Sequence, residues 1–145
     1  MIEPYLSFNG DCEEAFLWYE AIFNGEIQYM SKFMLQHGDI PEHSITPTSS
    51  EYQTKVMHAQ LKLTDNGTIS GADVTYPIET GNRVSIHVYL PNEQFAQKVI
   101  SALSEDGIIL SELSTNPPPD EDGKSGSVID KYGFTWIITT MKSTV

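Results

Sequence analysis

The stretch Pro4–Glu26, PYLSFNGDCEEAFLWYEAIFNGE, decides the fold. Tyr5 to Phe8 is a short aromatic and apolar run, and Asn9-Gly10-Asp11 breaks it. That predicts a buried strand entering a turn. Asp11 is placed to cap a helix, its carboxylate accepting a bond from an otherwise unpaired first-turn amide. Glu13 and Glu14 follow where the helix dipole favours negative charge. Phe16, Tyr19, Ile22 and Phe23 recur at helical spacing and give the helix one apolar face. Asn24-Gly25 ends it, with Gly25 expected to take the left-handed conformation of a C-cap. Glu26 to Phe33 then returns as a strand.

A weaker copy of this plan begins at Val84. Val84, Ile86, Val88 and Leu90 fall on one face of a strand, and Ser85, His87 and Tyr89 on the other. Asn92 caps the next helix, whose apolar stripe is Phe95, Val99, Ile100 and Leu103. Asp106-Gly107 closes it, and Ile108 to Leu113 is a strand. Between the two copies, Val56 to Leu63 alternates, with Met57, Ala59, Leu61 and Leu63 opposed to His58, Gln60 and Lys62. Asp65-Asn66-Gly67 is a hairpin turn leading into a strand over Thr68–Val74. After a solvated loop over Asn116–Gly126, Ser127–Ile129 and Phe134–Met141 read as strands around an Asp130–Gly133 turn. Each half therefore reads strand, helix, strand, strand, strand. The first half is longer, and the excess falls at 34–53 as an insertion. The expected fold is α+β: one domain over 1–145, made of βαβββ modules at 1–74 and 83–145. Their strands form one curved mixed sheet, with helices on its outer face and the other face free as a cleft.

A formal charge of −12, from 20 acidic and 8 basic residues, argues against nucleic acid, which is bound through Lys and Arg. It argues equally against an anionic membrane surface. It leaves a cationic ligand open, and an acidic surface also serves solubility alone. No apolar run is long enough for a transmembrane helix, and no signal-peptide pattern opens the chain. The single cysteine, Cys12, excludes an internal disulfide framework and suits a reducing cytoplasm. A helix start can stabilise a thiolate. No base lies near Cys12 in the sequence, however, and a small residue at a helix start is the simpler reading.

Four segments taken together, PYLSFNGDCEEAFLWYEAIFNGE, MHAQLKL, ALSEDG and VIDKYGFTWII, resemble the PhnB-like branch of the glyoxalase/bleomycin-resistance/extradiol-dioxygenase superfamily, the vicinal oxygen chelate fold. The resemblance covers nearly the whole chain. It implies paired βαβββ modules and a homodimer. Some members of the branch carry the label of a demethylubiquinone methyltransferase. This sequence has no glycine-rich loop at a strand–helix junction to hold a methyl-donor nucleotide. In catalytic members of the superfamily, a His or Glu on the first strand and a Glu on the last strand of each module hold a divalent metal. Carried over by position, those sites fall near Pro4, Ser85, Gly71 and Ile137, none of which ligates a metal. His87 and Asp73, each two residues along, are the nearest replacements.

His87 stands out as a ligand contact, a base or a hydrogen-bond donor, against the plainer reading of a packing histidine. His58 and Gln60 share a polar strand face with the same potential, although His58 can equally be satisfied by a backbone group. Asp73 is either an inward acidic partner or a strand-end cap. Phe8 and Tyr89 occupy matching positions and are expected to wall the cleft, with Ser85 beside His87. Thr135, Ile137 and Thr139 face the cleft as well, while Trp136 and Tyr19 pack beneath the sheet. His37, Asp39, Glu42 and His43 offer donors in a loop, without a zinc spacing. The reading is a small-molecule-binding homodimer with no cofactor and no metal, and with no nucleic-acid or membrane partner. Its ligand contacts are His87, His58, Gln60, Ser85, Tyr89, Phe8 and Asp73. The alternative is a metal-dependent lyase or dioxygenase whose displaced site combines His87 with Asp73 or His58. A third reading is a scaffold or regulatory dimer with a vestigial cleft.

Overall fold

Alternation along the strands sets which face of each sheet is buried, and the chain does this twice. The structure is a computed structural model and describes residues 1–33 and 52–140. Its elements are β1 (Tyr5–Phe8), α1 (Cys12–Phe23), β2 (Glu26–Lys32), β3 (Val56–Thr64), β4 (Gly67–Asp73), β5 (Ile86–Leu90), α2 (Glu93–Leu103), β6 (Ile108–Thr115), β7 (Lys124–Ile129) and β8 (Thr135–Thr140). A short 3-10 turn, Tyr52–Thr54, precedes β3. The strands pair into two four-stranded sheets, β1-β4-β3-β2 and β5-β8-β7-β6. In each, the first strand runs parallel to its neighbour and the other pairs are antiparallel. The chain divides accordingly into units Met1–Glu79 and Thr80–Val145. The α+β duplication is as read from the sequence, except that hydrogen bonding gives one sheet per unit in place of a single shared sheet. Of the 34–53 insertion, residues 34–51, with His37, Asp39, Glu42 and His43, lie outside the described residues.

In the first unit Ala15, Phe16, Tyr19 and Phe23 of α1 are buried together with Leu6, Phe8, Ala59, Leu61 and Ile69 of the sheet. In the second, Ala96, Val99, Ile100 and Leu103 of α2 are buried with Val88, Leu90, Val128, Trp136 and Ile138. Each large side chain so removed from water contributes about 1.5–3 kcal/mol. Val84, read as part of β5, precedes that strand and is exposed.

Phe8 requires a correction. It lies on the buried face, where its ring meets Phe16 edge-on at 6.2 Å. Counted from the buried strand ends Phe8 and Leu90, the residue matching Tyr89 is Ser7, and the residue matching His87 is Tyr5. The connection from β1 to its helix is one residue longer than the connection from β5, and a one-residue offset exchanges the two faces of a strand.

The helix ends also differ from the sequence reading in an informative way. Asp11 makes no side-chain cap bond, whereas Asn92 accepts from the Phe95 N–H at 2.7 Å as expected. The left-handed residue after α1 is Asn24 (φ 54°), and after α2 it is Asp106 (φ 58°). The glycine that follows each has a different role. A Cβ on Gly25 would strike the Lys62 carbonyl oxygen, and one on Gly107 the Ile129 carbonyl oxygen. Each helix thus ends on a short polar residue that tolerates the left-handed region, followed by a glycine that lets the chain pass close to a strand.

Candidate functional site

On the second sheet, the face turned away from α2 carries His87 and Tyr89, both exposed. Their ring centroids lie 4.4 Å apart, with the planes tilted by 34°. Strand register sets Tyr89 beside Thr139, and Thr139 beside Ser125. The side chains use that row. His87 Nε2 and Thr139 Oγ1 lie 2.8 Å apart, and Ser125 Oγ lies 2.8 Å from the same Thr139 oxygen. Thr139 is buried, so this anchor is shielded from water. Its one O–H sits between two partners, which ties their roles together. When Thr139 donates to a neutral imidazole, Ser125 donates to Thr139, and the His87 Nδ1–H points outward. A protonated imidazole reverses the chain and frees the Ser125 proton. The next row holds Ile137, Ser127 and Ser111, with the two serine oxygens 3.4 Å apart. Ser85 precedes β5 and is half-buried.

On the first sheet, the face turned away from α1 carries a second cluster. Register aligns Tyr5, Ser70, Gln60 and Tyr29 across all four strands. His58 stands between the two tyrosines. Its ring is 5.8 Å from Tyr5, nearly parallel at 24°, and 5.8 Å from Tyr29 at 48°. Its Nδ1 lies 3.3 Å from the Tyr5 hydroxyl, so the partner it has is a side chain. Burial raises the Tyr5 hydroxyl above its ordinary value. Beside them, Glu3 accepts from Ser70 Oγ at 2.8 Å and from Thr68 Oγ1 at 2.9 Å. The Ser70 bond is the main cause that holds the Glu3 carboxyl below its ordinary value. Partial burial opposes this, and Thr68, Gln60 and the charge of His58 reinforce it. The sequence reading missed Glu3, Tyr5 and Tyr29. The parity of β1 relative to β5 was the signal for the first two.

Asp73 is not on this face. Its Oδ1 accepts the backbone N–H of Gly10 at 2.8 Å and of Cys12 at 3.1 Å, and its Oδ2 accepts that of Val56 at 2.8 Å. It is a buried cap for α1 and for the start of β3, and its lone pairs are committed. Cys12 beside it is fully buried. Burial, followed by the charges of Asp73 and Glu13, pushes its thiol well above the ordinary range, which leaves it unreactive. A polar hollow of about 300 Å³ opens near the start of α1. Both of its lysines have local partners, Lys32 on Glu13 at 3.1 Å and Lys55 Nζ donating to the Gly10 carbonyl at 3.2 Å.

The divalent metal implied by the superfamily does not fit these residues. Asp73 is spent on backbone amides, and His87 Nε2 is taken by Thr139. Among the described residues no three His, Cys, Asp or Glu side chains converge to hold an ion. No helix among them is long and apolar enough to cross a membrane.

A family model described as 3-demethylubiquinone-9 3-methyltransferase matches residues 1–139. The chain belongs to this family. Solved members and relatives share the duplicated fold. The protein PA1353 from Pseudomonas aeruginosa is 27% identical, with a TM-score of 0.76 over 99% of this chain and 98% of its own. A PhnB protein from Bacillus cereus, described as a putative member of the same family, is 26% identical, with a TM-score of 0.73 over 97% and 98%. The fosfomycin resistance protein FosX from Listeria monocytogenes, solved with Mn(II) and sulfate, shares the fold at 14% identity, with a TM-score of 0.57 over 97% and 91%. The family is thus PhnB-like and lies within the vicinal oxygen chelate superfamily.

Proposed function

We propose that this chain binds a small molecule on the open sheet faces, without a metal of the superfamily type. The observation that carries the reading is the His87–Tyr89 pair. Both rings are exposed and in contact, and the imidazole is held by the buried Thr139, which Ser125 contacts in turn. A pair of exposed rings held in one geometry by a hydrogen bond to a buried threonine loses little entropy when it is covered by a ligand. His87 then supplies one outward polar group and Tyr89 a flat apolar one. Ser85 lies beside this pair, and His58 and Gln60 play the corresponding part on the first sheet. Phe8 and Asp73 support the site from the core without touching the ligand. Methyl transfer is less well served, because the Gly10 and Cys12 amides at the β1–α1 junction already bind Asp73.

The proposal includes a second copy of the chain. Edge strand β6 exposes Ile108, Ile109 and Leu110 in succession, an apolar edge of the kind that proteins cover. Light scattering on the purified chain is expected to give twice the mass of one chain. The proposed compartment is the cytoplasm, which suits a lone reduced thiol.

The test of ligand binding is a mixed fragment library followed by amide chemical shifts on the full chain. Hits are expected to move amides around His87, Tyr89 and Ser125, and H87A and Y89A are expected to weaken them while leaving the melting temperature nearly unchanged. Hits that map away from both open sheet faces, or hits at the His87–Tyr89 face that bind H87A and Y89A as tightly as the parent, overturn the reading.

A further inference from the structure

The first sheet holds a carboxylate with an unusual setting. Glu3 is followed by Pro4, whose carbonyl accepts the Ser70 N–H at 3.0 Å, so the β1–β4 pairing extends back beyond Tyr5. Glu3 and Tyr5, two positions apart, therefore share a face. Ser70 and Thr68 each donate a hydroxyl to one Glu3 oxygen. These donors are neutral, so they orient and stabilise the anion without cancelling its charge. No Lys or Arg pairs with Glu3 among the described residues. Lys62, the cation in the same row of the sheet, stands opposite Glu26 on β2 and Thr68 on β4.

Next to this uncancelled charge stand two tyrosines, Tyr5 at 54% and Tyr29 at 50% exposure, on either side of His58. The face of a phenol ring is electron-rich and attracts cations. A neutral imidazole adds a third ring of the same kind. Net charge points the same way, since a formal charge of −12 draws cations toward the surface from a distance.

The geometry points to a binding site for an organic cation on the open face of the first sheet, with Glu3 as counter-charge and the Tyr5–His58–Tyr29 rings as the platform. The ligand class is an ammonium group carried on a flat apolar body. The body lies on the exposed tyrosine faces, and the ammonium turns toward Glu3. A protonated His58 opposes binding, so the neutral imidazole is the competent form. This site uses residues of the first unit only, and it stands or falls separately from the His87–Tyr89 face.

The probe is benzyltrimethylammonium, whose charge does not depend on pH, with benzyl alcohol as the neutral control. Both are titrated into the full chain at mildly alkaline pH and followed through the amide and ring signals of Tyr5, Tyr29 and His58. The cation is expected to shift these signals and to bind about three- to tenfold more weakly to E3Q, in which glutamine keeps an acceptor for Ser70 and loses the charge. Y29L is expected to weaken it by a similar factor, and raising salt to weaken it more in the parent than in E3Q. Benzyl alcohol is expected to be indifferent to E3Q. Thermal unfolding of both variants checks that the sheet is intact. Equal affinity of the cation for parent and E3Q overturns the proposal, as does equal response of the same signals to the neutral control. Absence of any shift at Tyr5, Tyr29 and His58 overturns it too. Failure of the His87 and Y89A experiments has no bearing on these outcomes.

Discussion

Asp73 Oδ1 accepts the backbone N–H of Cys12 at 3.1 Å, so the last residue of β4 caps the first turn of α1. The same carboxylate also holds Gly10 and Val56. One buried anion thereby fixes the turn before the helix, the helix start and the entry into β3.

Asp73→Asn is therefore expected to destabilise the chain by about 2–4 kcal/mol, because the amide replaces one acceptor by a donor facing backbone N–H groups. Asp11→Ala, at the position the sequence nominates for the cap, is expected to cost no more than about 0.5 kcal/mol. Urea unfolding followed by circular dichroism compares the two. A loss at Asp11 as large as that at Asp73 contradicts the assignment.

The paired helix ends give a second expectation. Gly25→Ala and Gly107→Ala each push a methyl group into a strand carbonyl, of Lys62 and of Ile129 respectively. Each is expected to lose about 2 kcal/mol or more, since backbone on both sides must shift. Asn24→Ala, which meets no such oxygen and pays only for the left-handed backbone, is expected to lose about 1 kcal/mol. If Asn24→Ala proves the costliest of the three, the left-handed residue rather than the close approach is what limits these turns.

Much of this architecture is legible in the amino-acid order. Helical periodicity in Phe16, Tyr19 and Phe23 reports burial directly, as does period-two alternation at Ala59, Leu61 and Leu63. At the start of β3 the alternation breaks, with Val56 buried and Met57 half-buried beside the register shift at Ser31 and Lys32. What local pattern cannot supply is parity between the two copies. Tyr5-Leu6-Ser7-Phe8 is apolar on both faces apart from one serine, so alternation does not say which face meets the helix. Position matching then chose Phe8 for the cleft, and one extra residue in the turn reversed it. Asp73 was ambiguous for a related reason. Its three partners lie 17 to 63 positions away, at Val56, Cys12 and Gly10, and no local window contains them.

Glu3 carries a pH-dependent prediction. Hydrogen bonding holds its folded-state carboxyl below the value of 4.5 it would otherwise have. The folded chain thus binds that proton less readily than the unfolded chain. The contribution to stability is complete above the unfolded value and is lost as pH falls through the lower, folded value. The melting-temperature gap between the parent and E3Q is expected to be widest above about pH 5 and to narrow as pH falls below 4.5. A gap that widens with acid is the opposite sign and excludes the hydrogen-bonded anion.

The relation between His87 and Thr139 is the one on which the ligand-binding reading turns. Thr139→Val keeps the shape of a buried side chain and deletes the oxygen that both His87 Nε2 and Ser125 Oγ contact. Because both partners can reach water from the open face, the cost in stability is expected to stay near 1 kcal/mol. The effect on the imidazole is expected to be larger. Without the Thr139 hydroxyl, the ring keeps its contact with Tyr89 but loses the bond that selects one tautomer and one orientation. Long-range proton–nitrogen spectra of the histidine rings read this directly. The parent is expected to show one dominant tautomer at His87, and T139V a mixture with broader signals. Any ligand that contacts the outward nitrogen is then expected to bind T139V several-fold more weakly, although Thr139 is buried and does not touch it. Unchanged nitrogen shifts at His87 in T139V mean that the bond does not orient the ring, and the preorganised pair is then no argument for a binding site.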